Sequence, residues 1–172
     1  TKLGVENIQL EGRQGVGGIV GRSFAPTTVS QCYVTGVVKG HDHVAGIVGD
    51  SKVSTPVGSL TTISDCYSTA AIVSDRYQAA GILGASVDAT VTKSYFAGFV
   101  MNGNTCSGGI VALLDPNGTT NYISYCVSMA SFLRGGATMT HRVLGNIDGL
   151  PVSLTKNYAW EGTVLFLSGV ET

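Results

Sequence analysis

The feature that most constrains this chain is a five-residue string that returns in phase. Gly17-Gly18-Ile19-Val20-Gly21 is followed by Ala45-Gly46-Ile47-Val48-Gly49, Ala80-Gly81-Ile82-Leu83-Gly84 and Gly108-Gly109-Ile110-Val111-Ala112, and His141-Arg142-Val143-Leu144-Gly145 closes the series. A second string alternates with the first. It reads Val29-Ser30-Gln31-Cys32-Tyr33, Ile63-Ser64-Asp65-Cys66-Tyr67, Val91-Thr92-Lys93-Ser94-Tyr95, Ile123-Ser124-Tyr125-Cys126-Val127 and Leu154-Thr155-Lys156-Asn157-Tyr158. The second glycine advances 28 residues from Gly18 to Gly46, 35 to Gly81 and 28 to Gly109, with Arg142 in its place 33 further on. A period in this range, carried by short β-type segments, predicts stacked coils of a solenoid. A fold with a single globular core has no need of the same residues at the same phase five times.

The expected fold is all-β, a parallel β-helix-like solenoid of about five coils forming one domain over residues 1–172. A half-repeat spans 5–15, and the coils span about 16–43, 44–78, 79–106, 107–139 and 140–172. Val5 to Gly12 aligns with Val29 to Gly36, which leaves the connection to Gly18 about four residues shorter than in later coils. No segment of a dozen residues carries a 3.6-residue period, so helices are not expected. The chain opens at Thr1, inside a repeat and without a signal peptide or initiator methionine. It therefore reads as part of a longer protein, covalently continuous with further domains.

Strand parity assigns the faces, because successive residues of a strand point to opposite sides. The cysteine parity is Cys32, Val34, Gly36, Val38; Cys66, Ser68, Ala70, Ile72; Ser94, Phe96, Gly98, Val100; and Cys126, Ser128, Ala130, Phe132. It is assigned inward, small where the walls approach and larger further along. Tyr33, Tyr67 and Tyr95 then form an outward ladder. The Ile19, Ile47, Ile82, Ile110, Val143 column is the most uniform in the chain and should line the core.

Cysteine at one repeat position, exchanging with Ser94, is chosen for small size and burial rather than for pairing. Cys66 and Cys126 lie two coils apart, roughly 9–10 Å, which exceeds a disulfide's reach. Cys32 and Cys66 are one coil apart and remain within it. The reading is of reduced, buried thiols.

Loop length varies at one phase. The connections after Gly49 and Ala112 carry extra residues in Asp50–Ser59 and Asp115–Thr120. Both insertions should emerge on one face and flank a shallow groove floored by the shorter turn, 85–93. The candidate binding residues are Asp50, Lys52, Ser54, Thr55, Asp115, Asn117, Thr119 and Tyr122. Hydroxyls, amides and an exposed ring suit a glycan or a protein rim.

The two alternating strings resemble the GLUG repeat, named for a glycine–x–large–aliphatic–glycine pattern. The resemblance covers nearly the whole chain. Such repeats occur in large bacterial cell-surface proteins, including adhesin-like proteins and IgA-specific metallopeptidases. The resemblance implies a β-helix-like solenoid outside the cell. Arg142 and Ala112 depart from the glycine pattern, so the last coils are modified or cap the stack.

Several function classes recede on chemistry. The net charge of −1 gives no electrostatic case for nucleic acid or an anionic membrane, and no apolar run is long enough to insert in a bilayer. None of His41, His43 and His141 sits in the His-Glu-x-x-His motif of a zinc protease. His41-Asp42-His43 is the one dense group of potential ligands and reads as a solvated turn. The eleven carboxylates are scattered over different phases, unlike the clusters of a polysaccharide lyase or hydrolase. An interstrand ion pair accounts for Asp65 and Lys93. Thr28, Thr62 and Thr90 share a phase, but Tyr122 and Ser153 interrupt an ice-binding type of array. The expectation is a non-enzymatic, adhesin-like module presenting loops to a host glycan or protein, with no catalytic residue, metal or cofactor. An accessory β-helix domain of a larger secreted peptidase, or a carbohydrate-active β-helix, are the alternatives.

Overall fold

The structure is a computed structural model. It describes residues 1–51, 60–103, 105–116, 118, 121–146 and 152–168, and among these it is all-β, with every strand pair parallel. Four sheets run along the stack. Sheet A contains Gly4–Glu11 and Tyr33–Gly40 as long strands and then divides into two limbs. One limb is Tyr67–Ser68, Tyr95–Phe96, Val127–Ser128 and Tyr158–Ala159. The other is Ala71–Ser74, Phe99–Asn102, Phe132–Gly136 and Val164–Ser168. Sheet B runs from Gln14–Gly17 through Asp42–Ala45 to Thr140–His141, and sheet C from Val20–Ser23 through Val48–Ser51 and Leu83–Ser86 to Val111–Leu114. Sheet D holds Thr27–Ser30, Thr61–Ser64, Ala89–Thr92, Asn121–Ser124 and Val152–Thr155.

The interior follows the inward parity. Ile47, Ile82 and Ile110 are fully buried, whereas Ile19 and Val143, towards the ends of the stack, are half-buried. Across from this column stand Val34, Ser68, Phe96 and Ser128, all buried. A Cβ on Gly18, Gly46, Gly81 or Gly109 would collide with that facing side chain, Val34, Ser68, Phe96 and Ser128 in turn. The first string therefore needs glycine because two walls of the coil touch there.

The cysteine position has a second reason beyond size. Gln31, Asp65, Lys93, Tyr125 and Lys156 each precede it at φ between 47° and 55°. This left-handed corner turns sheet D into sheet A. The next residue turns inward and bonds twice. Cys66 Sγ donates to the Ser64 carbonyl (3.1 Å) and accepts from Cys32 N (3.4 Å). Ser94 Oγ donates to the Thr92 carbonyl (2.8 Å) and accepts from Cys66 N (3.2 Å). In the last coil Asn157 reaches further, donating to the Ile123 carbonyl of the preceding coil (2.6 Å) and accepting from Cys126 N (3.0 Å). Cysteine, serine and asparagine interchange because each is a small group that both donates and accepts.

Four expectations are corrected. The N-terminal strand pairs Val5 with Val34, Ile8 with Gly36 and Leu10 with Val38, not Val5 with Val29. Lys2 takes the left-handed corner, with its N–H on the Ser30 carbonyl. Gly12 then stands beside Gly40, six residues before Gly18 as Gly40 is before Gly46, so this coil is not short. A bulge at Asn7, opposite Gly36 at φ 111°, absorbs the irregularity. In the fourth coil, Leu133 rather than Phe132 is fully buried. Phe99 pairs with Phe132, and three residues separate Phe96 from Phe99 where four separate Ser128 from Phe132, so the extra residue shifts the parity. Asp65 and Lys93 are both exposed and form no ion pair with each other, since the left-handed corner turns them into water. His43, read as part of a solvated turn, is buried at the start of sheet B.

Candidate functional site

The insertions connect sheet C to sheet D in the second and fourth coils, so they share a corner of the stack. Beneath it runs a polar seam. Ser23 bonds Thr27, and Ser51 bonds Thr61, hydroxyl to hydroxyl. Ser86 Oγ donates to the Asp88 carbonyl (2.9 Å), and Asn121 Oδ1 accepts from Ala89 N (3.1 Å). Buried side chains thus satisfy the backbone where it turns, which keeps the corner fixed whatever length of loop leaves it.

The structure separates the candidate residues. Asp50 does not belong to the loop. It lies in the sheet C strand Val48–Ser51 at 0% exposure, and Oδ2 meets Arg22 at 2.6 Å (Nη2) and 2.7 Å (Nε). It ties the second coil to the first, and Arg22 in turn lies over the Phe24 ring at 5.4 Å. Asp115 directs its N–H to the Ser86 carbonyl (2.8 Å), and its own carbonyl accepts from Gly118 N (3.0 Å). Gly118 rests on the Val87 carbonyl, where a Cβ would collide. Tyr122 stands outward on sheet D at 50% exposure, in register with Thr62 and Thr90 through Thr90 and with Ser153. Lys52, Ser54, Thr55, Asn117 and Thr119 lie outside the described residues. Asp115 and Tyr122 are the described candidates that border this corner, and Asp50 leaves it.

The thiols are free and buried. Burial pushes Cys66 and Cys106 up to about 11 and raises Cys126 as well, so they are poor nucleophiles at neutral pH. Cys106 Sγ packs 3.3 Å from Met139 Sδ. Among the described residues, no group of three or more His, Cys, Asp or Glu is placed to hold a metal ion. The described residues contain no helix long and apolar enough to cross a membrane.

Sequence reasoning missed the outer face of sheet A. Its first row is a stack of Tyr33, Tyr67 and Tyr95, with ring centroids 4.9 and 4.8 Å apart and ring planes nearly parallel. The tyrosine ladder was legible, but the apolar character of the rows beside it was not followed. Phe99, Met101, Met129, Tyr158, Trp160, Val164 and Phe166 are all exposed there. The outward parity of Phe99 in the third coil was the signal available.

These features define a parallel β-solenoid with one elaborated corner and one apolar outer face. No protein-family profile matches the chain, and no curated protein does. A solved structure shares the fold at a TM-score of 0.80 and 24% identity: "Crystal structure of a putative immunoglobulin A1 protease from Bacteroides ovatus at 1.30 A resolution". The match covers 97% of this chain and 53% of that one, so this chain spans about half the length of its structural neighbour.

Proposed function

We propose that the chain is a non-catalytic recognition module of a larger secreted or cell-surface protein, an accessory solenoid that holds a partner protein or glycan for chemistry done elsewhere. The fold match along almost the whole chain to about half of a longer protein named for an immunoglobulin A1 protease carries this reading. The resemblance of the repeats to those of bacterial surface proteins supports the same compartment. The residues are consistent with it. The thiols are buried, and the paired carboxylates serve coil-to-coil ties, Asp50 to Arg22 and Glu11 to Lys39 at 3.2 Å. A free-standing adhesin is the wider form of the proposal, with the corner carrying Asp115 and Tyr122 as one candidate surface.

Immunoglobulin A1 is the probe the neighbour's name suggests. The folded chain is immobilised and tested for IgA1 binding, and the same mixture is resolved by mass spectrometry. Binding with intact heavy chains is the expected result. New cleavage fragments produced by this chain alone would overturn the non-catalytic assignment.

A further inference from the structure

The outward rows of sheet A can be read across the stack from the pairing register. One row is Val37, Ala71, Phe99, Phe132, Val164, and the next is Lys39, Val73, Met101, Arg134, Phe166. At the bend between the limbs, the Ala97, Met129 and Trp160 amides bond successively to Ser68, Phe96 and Ser128 carbonyls, which places those three residues in a third row. The face changes character along the stack. It begins with Gln9, Glu11 and Lys39 and ends in Tyr158, Trp160, Val164 and Phe166, exposed by 68%, 51%, 56% and 59%. Phe132 and Phe166 already pack at 6.2 Å.

We infer that the C-terminal part of this face is a protein-docking surface whose partner presents apolar side chains around a carboxylate. Three observations carry the inference. The seven exposed apolar residues Phe99, Met101, Met129, Tyr158, Trp160, Val164 and Phe166 leave on the order of 700 Å² open, taking roughly 150–250 Å² for a large side chain. That exceeds the usual largest patch on a monomer and approaches the ~800 Å² each partner contributes to a stable interface. The composition is that of interface centres, rich in aromatic residues, methionine and arginine and poor in lysine and acids.

The third observation fixes the partner's charge. Arg134 sits in its row between Met101 and Phe166. It forms no ion pair or side-chain hydrogen bond with any described residue, and its Nε is buried without a partner. It borders a shallow groove of about 190 Å³ with Val73, Met101 and Asp75. Asp75 lies 4.0 Å from His41 instead. A half-buried guanidinium among apolar groups lacks the bidentate acceptor that a carboxylate supplies.

This surface deepens the recognition reading above and rests on it. A phage-displayed library of 12-residue peptides is panned on the folded chain, with the Arg134→Gln/Trp160→Ser double variant as counter-selector. Both side chains are outward, so circular dichroism of the variants should match the parent, and binding is measured well below the melting transition, which losing the half-buried Trp160 ring lowers. Enriched peptides should carry aromatic or aliphatic residues flanking Asp or Glu. A synthetic winner should lose tenfold or more in affinity on Arg134→Gln and on Trp160→Ser. Replacing its acid by the amide should cost the parent chain similarly and the Arg134→Gln variant little. Failure to enrich, or equal affinity for parent and variants, overturns the proposal. Sedimentation equilibrium showing a dimer that the same substitutions dissolve would also overturn it, assigning the face to a second copy. IgA1 binding that survives both substitutions would sink this surface and leave the module reading standing.

Discussion

Replacing Ile82 and Ile19 by alanine in parallel tests the stacking logic quantitatively. Both occupy the same column, but Ile82 is fully buried between Ile47 and Ile110, while Ile19 is half-buried with no equivalent residue on its N-terminal side. Removing Ile82's outer carbons forfeits about 2–2.5 kcal/mol of transfer free energy at ~0.8 kcal/mol per methylene. A cavity term adds to it, because coils on both sides hold the walls in place, giving about 3–5 kcal/mol. At Ile19 roughly half the transfer term applies and the open end can relax, giving about 1–1.5 kcal/mol. Urea unfolding followed by circular dichroism measures both. With a slope of roughly 2 kcal/mol/M the midpoints should differ by about 1 M or more. Equal and small shifts at the two positions would refute the inward column, and so would a soluble, cooperatively folded Ile82→Asp chain.

Four further outcomes follow from the corners and thiols. Lys93→Gly should stabilise the chain by about 0.5–1 kcal/mol, since glycine relieves a left-handed residue whose side chain is exposed; destabilisation by urea titration would contradict the corner. Cys66→Ser should fold normally, whereas Cys66→Val should cost about 1–3 kcal/mol by leaving the buried Cys32 N–H unmatched. Thiol titration should find Cys32, Cys66, Cys106 and Cys126 unreactive at pH 8 until the chain is denatured without reductant, and a Cys32–Cys66 disulfide in a peptide map would refute this. Burial raises Cys66 and Cys106 in the fold from 9.0 to about 11, so their contribution to stability is complete below pH 9 and is lost as pH rises from 9 through 11. Urea midpoints that are flat across that window would show the thiols to be solvated.

The sequence carried the architecture because a solenoid repeats its constraints. Ile47, Ile82 and Ile110 face one core, Gly46, Gly81 and Gly109 meet one wall, and Tyr33, Tyr67 and Tyr95 stack at one strand spacing, so each copy corroborates the others. What stayed hidden were features without a repeat. Phe132 slipped to the outside because a single extra residue at a bend reverses every side chain after it. Val5 was aligned by composition, while the hydrogen-bonded register is set by a bulge at Asn7. Asp50 looked like a loop acid because it borders an insertion, yet its partner Arg22 lies one coil away and 28 residues back in the chain. The left-handed corner was obscured because Gln31, Asp65, Lys93 and Tyr125 share a backbone angle but no side-chain chemistry. The apolar face of sheet A escaped notice because its members, Met101, Trp160 and Phe166 among them, are unlike one another and meet only across coils.

Parallel stacking in solution is tested most directly by nuclear Overhauser contacts in isotope-labelled protein. The rings of Tyr67 and Tyr95, 28 residues apart, should contact each other, and so should the side chains of Ile82 and Ile110 and the backbones of Val91 and Ile123. Cross-peaks at all three pairs are the predicted result. Their absence, with long-range contacts confined to antiparallel neighbours or to helical spacings, would contradict the solenoid on which every functional assignment here depends.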